Sequence, residues 1–225
     1  MGSLIEWGAG GIMEDENLRS FKLNLLKNAA KALKRNGFET EVFEDTQAAA
    51  KYILKLIGSG KKVGMGGSMT VQGMGLPETL KNAGNEIITH TPGMSDAVRI
   101  KTWLAAQTAD FYLASPQAVT AKGEMLFIDG SGNRAAAVIY GPGMVVLIAG
   151  VNKMTATSND GFWRMRNVAA IANNIRLKRN NPCVKTGKCE DCASVERVCN
   201  VVTLLWKKPR LTDYRVILIN EDLGY

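Results

Sequence analysis

Four cysteines lie within 17 residues near the C-terminus: Cys183, Cys189, Cys192 and Cys199, spaced C-x5-C-x2-C-x6-C. Four thiolates can hold one zinc ion tetrahedrally, and Cys189-Glu-Asp-Cys192 has the form of a two-ligand knuckle. An iron–sulfur cluster takes the same ligands, although its commonest signatures carry further short C-x2-C steps that are missing here. Disulfides, free structural thiols or a redox pair would also account for the clustering, and disulfides fit poorly with a cytoplasmic chain. Lys185, Lys188 and Arg197 lie among the cysteines, where cations would lower thiol pKa values. Four protein ligands leave no open coordination position, so a metal here would be structural or electron-transferring.

A second set of residues could handle a ligand. Val63-Gly-Met-Gly-Gly-Ser-Met-Thr70 follows an apolar strand and enters a helix. Gly64, Gly66, Gly67 and Ser68 would let a phosphate or carboxylate approach the backbone, or would simply make a tight turn. The spacing is neither the dinucleotide fingerprint nor a Walker A loop. Glu124 stands just before an apolar strand, where a carboxylate could act as base or nucleophile or be a solvated strand end. Asn133 and Arg134 close a run of turn residues from Asp129, and Arg134 could bind an anion or pair with Asp129. Lys153 follows the apolar strand at Met144–Ala149, a position that faces the ligand crevice of an open α/β sheet. The single histidine, His90, excludes multi-histidine metal sites, and we expect it to make a structural hydrogen bond at a strand end.

The elements that must position these groups alternate. Helices are predicted over 14–36, 45–57 and 96–108, with one or two more between Ser68 and Gly84. Strands are predicted at 39–43, 62–65, 86–90 and 110–114, an order that argues for a parallel sheet covered by helices. The rhythm then changes. Strands at 124–129 and 135–139 read as a hairpin closed by Gly130–Asn133. A strand at 144–149, a helix over 157–177 with Thr157 and Asp160 as a capping box, and strands at 201–206 and 215–220 complete the chain.

Composition sets the outer limits. The 225 residues are 46% hydrophobic and 22% charged, as in ordinary globular proteins. No apolar run approaches the length of a membrane span. The net charge of +7 is concentrated, because residues 164–210 hold eleven basic and three acidic residues. An anionic partner would meet that segment, unless it is a solvated helix end and loop. Only Trp163 and Trp206 could stack on bases there, and no nucleic-acid-binding motif is present. Residues 1–12 look like an expression scar, with Met13 the native start, no targeting segment, a cytoplasmic location and one α/β domain over 13–225.

Taken together, several motifs resemble the lactate-utilisation (LUD) domain family. They are Gly64-Met-Gly-Gly-Ser68, Val119-Thr-Ala-Lys-Gly-Glu124, Ile128-Asp-Gly-Ser-Gly-Asn-Arg134, Tyr140-Gly-Pro142, Gly150-Val-Asn-Lys153 and Glu221-Asp-Leu-Gly-Tyr225. Pro182-Cys183, Thr186-Gly-Lys-Cys189, Asp191-Cys192 and Arg197-Val-Cys-Asn200 match a bacterial branch of that family. The resemblance implies a three-layer Rossmann-like α/β sandwich similar to ribose-phosphate isomerases, glucosamine-phosphate deaminases and CoA transferases, here with an antiparallel hairpin added. It also implies a role in bacterial oxidation of lactate to pyruvate, beside partners that carry iron–sulfur clusters. Glu124 and Lys153 are then candidate catalytic groups. Gly64, Gly66, Gly67, Ser68, Asn133 and Arg134 would bind a small anionic metabolite. The alternative is a non-catalytic accessory protein whose cysteines hold zinc or an iron–sulfur cluster and dock a redox partner.

Overall fold

The computed structural model describes residues 15–225. The expected expression scar over 1–12 and the native start at Met13 lie outside the described residues. The first half of the chain runs α1 (Glu16–Arg35), β1 (Glu39–Phe43), α2 (Thr46–Ile57), β2 (Lys62–Met65), α3 (Met69–Gly73), α4 (Leu76–Asn82), β3 (Glu86–Ile88), α5 (Asp96–Gln107) and β4 (Phe111–Ala114). The second half runs β5 (Ala118–Thr120), β6 (Met125–Asp129), α6 (Asn133–Ile139), β7 (Met144–Gly150), β8 (Met154–Thr155), α7 (Ser158–Arg164), α8 (Ala170–Arg176), α9 (Pro182–Thr186), β9 (Val201–Leu205) and β10 (Asp213–Ile219).

Six strands form a wholly parallel sheet in the order β1-β10-β7-β4-β2-β3. Both faces of such a sheet are buried, so its central strands are apolar throughout. Alternation still divides them. On β7, Val145, Leu147 and Ala149 point into one core, and Val146 and Ile148 into the other. The first core is covered by Leu26, Ala29 and Leu33 of α1, Ala106 of α5 and Val138 of α6. The second is covered by Ala49, Ile53 and Ile57 of α2, Val71 of α3 and Leu76 and Leu80 of α4. The result is the three-layer Rossmann-like arrangement of helices, sheet and helices.

A second, mixed sheet in the order β8-β5-β6-β9 lies over the first core. Val119, Met125, Phe127 and Leu205 face that core, while Ala118, Leu126 and Ile128 pack on Met165. Met165 belongs to a π-helical turn, Met165–Ala169, that joins α7 to α8. The predicted helix over 157–177 is therefore continuous but widened in the middle. Its capping box is present, with the Asp160 side chain accepting from the Thr157 N–H.

The expected strand at 135–139 is instead the helix α6. Ala-Ala-Ala-Val-Ile is a short apolar run, for which periodicity does not separate strand from helix. Gly132, at φ +78°, turns the chain directly into that helix rather than closing a hairpin. An antiparallel hairpin does exist, but it joins β5 to β6 through Ala121–Glu124, one element earlier. Among the described residues, no helix is long and apolar enough to cross a membrane.

Candidate functional site

Parallel pairing puts the C-terminal ends of β2, β4, β7 and β10 on one side of the sheet, where ligands of open α/β folds bind. A cleft of about 290 Å³ opens there. The turn after β2 contributes Gly66, Gly67, Ser68 and Thr70, and the end of β4 contributes Ser115. The end of β6 contributes Asp129, and the start of α6 contributes Asn133 and Arg134. Four arginines line the cleft: Arg99 from α5, Arg134 from α6, Arg176 from α8 and Arg179 just beyond it. Among the described residues, Asp129 is the one acidic side chain that lines it.

Arg134 is held from three sides. Its Nε donates to Asp129 Oδ1 at 3.0 Å, Nη1 to the Ser115 carbonyl at 3.2 Å and Nη2 to the Ile128 carbonyl at 2.6 Å. The guanidinium also lies 5.6 Å from the centre of the Phe127 ring. The other oxygen of the pair, Asp129 Oδ2, is buried with no hydrogen-bond partner. A buried carboxylate oxygen left in this way is an acceptor waiting for a donor.

Arg176 is oriented by a neutral group, donating from Nη2 to Asn173 Oδ1 at 2.7 Å. Arg99 and Arg179 pair with the carboxylates of Asp96 and Glu196. A Cβ at Gly67 would lie 3.7 Å from Arg176 Nη2 and 3.8 Å from His90 Nε2. The bare glycine therefore leaves open the space that the arginine and the histidine border. His90 accepts a hydrogen bond from Trp103 Nε1 at 3.2 Å, the structural contact expected of it. Burial, then the charges of Arg99 and Arg176, hold its pKa below the usual value, which favours the neutral ring.

Lys153 lies behind the cleft wall and is 2% exposed. Its ammonium donates to Ser115 Oγ at 2.6 Å and Thr70 Oγ1 at 2.8 Å, and those hydroxyls donate onward to the carbonyls of Ile148 and Leu223. Burial, with Arg164 and Arg134 nearby, pushes its pKa down to about 7. Arg164 is similarly enclosed and donates from Nε to the Asn152 carbonyl at 2.9 Å.

The expected site residues divide accordingly. Gly66, Gly67, Ser68, Asn133 and Arg134 line the cleft, and Lys153 touches it through Ser115 and Thr70. Gly64 does not line it. A Cβ there would stand 2.4 Å from the Ala106 carbonyl, so Gly64 lets α5 pack close to β2. Glu124 does not line it either. Its carboxylate accepts from Thr120 Oγ1 at 3.0 Å and from Ser158 Oγ, tying the β5–β6 hairpin to the start of α7. Sequence reasoning missed Ser115, Trp103, Tyr225, Arg99, Arg176 and Arg179 as cleft residues. For Arg176 and Arg179 a signal existed, since both lie in the basic stretch 164–210.

Cys183, Cys189, Cys192 and Cys199 are all free, partly buried thiols. Burial and the neighbouring thiols raise the pKa of Cys183; for Cys199, burial outweighs the opposing effect of Arg197. The donor set has the chemistry of a zinc or cluster site, yet its arrangement is not a closed cage. Among the described residues, no three His, Cys, Asp or Glu side chains converge as metal ligands. The segment adjoins the cleft: Val198 lines it, and the Asn200 N–H donates to the Asp129 carbonyl at 2.9 Å.

Sheet order and cleft position define a Rossmann-like α/β protein with a basic site at its strand ends. The chain belongs to the LUD-domain family, whose pattern matches residues 26–219. Among solved structures it is similar to a DUF162-family protein from Deinococcus radiodurans, at 15% identity over 89% of this chain and 98% of that one, with a TM-score of 0.49. It is also similar to eIF2B beta from Chaetomium thermophilum, at 16% identity over 52% of this chain and 45% of that one, with a TM-score of 0.37. No curated protein matches it in sequence.

Proposed function

We propose that the cleft binds a small anionic metabolite of the hydroxy-acid class, and that the protein serves bacterial lactate oxidation as a subunit or accessory. One observation carries this reading: among the described residues, four arginines line a cleft whose lining holds a single side-chain carboxylate, itself paired with one of them. Guanidinium groups bind carboxylate and phosphate through paired N–H donors, and a confined basic cleft concentrates anions. Gly66 and Gly67 keep the floor open, and Arg176 offers a guanidinium held by a neutral amide. The lactate connection comes from the family.

A ligand that binds only the folded state raises the melting temperature. Lactate, malate, glycerate and simple sugar phosphates, screened at millimolar concentration, are expected to yield at least one clear upward shift. A flat response across the set would remove the reading.

A second reading is favoured by the gathering of four thiols beside the cleft. In it the segment 182–200 takes up zinc or an iron–sulfur cluster and docks a redox partner. Stoichiometric zinc, or iron with acid-labile sulfide, in anaerobically purified protein would support it. Metal-free protein that still binds its partner would end it.

A further inference from the structure

The anion-binding reading leaves one group unused. Lys153 carries a nearly inaccessible amine whose hydrogen-bond partners, among the described residues, are two hydroxyls and no carboxylate. A buried ammonium without a counter-ion is costly, and side chains in that position tend to give up the proton. The amine does not itself line the cleft; Ser115 and Thr70 do. Any chemistry Lys153 performs on a cleft ligand must therefore pass through one of those hydroxyls.

Ser115 is the better placed. Its Oγ lies 2.6 Å from Lys153 Nζ, and it is a primary hydroxyl at the end of β4, rigidly seated by the central sheet. Thr70 is a hindered secondary hydroxyl; each of the two also reaches a backbone carbonyl, Ser115 that of Ile148 at 2.6 Å and Thr70 that of Leu223 at 3.2 Å. Arg134, whose Nη1 lies 3.2 Å from the Ser115 carbonyl, puts positive charge beside the reacting position. A nucleophile and a base within hydrogen-bond reach, with the base fixed by a third group, is the arrangement of an activated hydroxyl.

We propose that Ser115 is a nucleophile and Lys153 its general base, and that the cleft accepts an ester or thioester of a small anionic acid. The choice of acid rests on the anion-binding reading; the Ser115–Lys153 pair does not. In the first step Ser115 Oγ bonds to the acyl carbon and its proton passes to Lys153 Nζ. The carbon–oxygen or carbon–sulfur bond to the leaving group breaks, and the departing alkoxide or thiolate takes that proton. Water then attacks the acyl-serine, again losing a proton to Lys153, which returns it to Ser115 Oγ as the acid leaves. No oxidant or further reactant is needed. Depression of the Lys153 pKa to about 7 supplies neutral amine for the first step at physiological pH.

The test uses the full chain and an uncharged serine-directed fluorophosphonate. A phosphorus–oxygen bond forms as fluoride leaves with the hydroxyl proton. We expect one adduct per chain, mapped by peptide mass spectrometry to Ser115. Labelling should slow by about 100-fold in Lys153→Met, as loss of a general base implies. In the unaltered protein the labelling rate should rise with pH through about 7. The charged groups nearest the amine are Arg164 and Arg134, with Asp222 beside the first and Asp129 paired to the second. That pH profile carries the test if Lys153→Met does not fold. No adduct, an adduct elsewhere with Ser115 unmodified, an unchanged rate in Lys153→Met, or a flat pH profile would each overturn the proposal. Because the probe is uncharged, labelled Ser115 without any anion-induced melting shift would remove the anion reading and keep the pair. A melting shift without labelling would do the reverse.

Discussion

The cleft and the cysteine segment sit side by side and are built in opposite ways. At the back of the cleft one ion pair is seated at a strand end and buried, although Arg99 and Arg179 at its rim are exposed. The Arg134 side chain is 14% exposed and its partner Asp129 10%. In the segment, comparable ion pairs lie in solvent: Arg166–Asp191 is 41% and 69% exposed, and Lys188–Glu190 72% and 34%. Breaking a buried pair strands a charge, whereas surface pairs are screened and contribute little. The contrast separates a buried ion pair at the cleft from solvent-exposed pairs around the thiols.

The largest effect should come from pH acting on Lys153. In the unfolded chain its amine holds a proton up to the ordinary lysine pKa, whereas in the folded protein the proton leaves near 7. The unfolded state thus binds more protons between about 7 and 10.4, so folding stability rises with pH across that window. The full span is on the order of 5 kcal/mol. Denaturant unfolding at several pH values should show the rise in wild type and its absence in Lys153→Met. Identical pH dependence in the two would place the amine in a wetter setting and weaken the contrast.

Arg134→Ala comes next. It leaves Asp129 buried without its counter-charge, at a cost of about 3–5 kcal/mol in urea melts. Gly64→Ala should cost about 1–3 kcal/mol, because its new Cβ would collide with the α5 backbone at Ala106. Arg166→Ala, in the neighbouring region, should cost only ~0–1 kcal/mol. A loss there as large as that of Arg134→Ala would mean that the cysteine segment is as rigid as the cleft.

The sequence made the central sheet legible because each strand is an apolar run bounded by turn residues and followed by a helical period. Lys62–Met65 and Thr46–Ile57 appear in the structure with the expected bounds or nearly so. Reading failed where elements were short. Ala118–Thr120 and Met154–Thr155 are too brief to show a period, and Asn133–Ile139 has a composition that suits either strand or helix. The same limit explains the site. Gly66, Ser68 and Arg134 belong to local motifs, and they line the cleft. Arg99, Ser115 and Arg176 come together only through the strand order, which no local pattern encodes. Glu124 stood out by its position before a strand, yet its hydrogen bonds to Thr120 and Ser158 give it a local bracing contact.

The claim that the cleft is an anion site is tested most directly at Arg176, whose guanidinium is held by a neutral amide at the edge of the open glycine floor. Titration calorimetry of wild type and Arg176→Ala with lactate, and separately with inorganic phosphate, is the measurement. Binding of at least one of them to wild type is expected. It should weaken as salt is added and fall by about tenfold or more in the variant, the effect of losing a charge-assisted hydrogen bond. Absence of binding, or equal affinity in both proteins, would contradict the account.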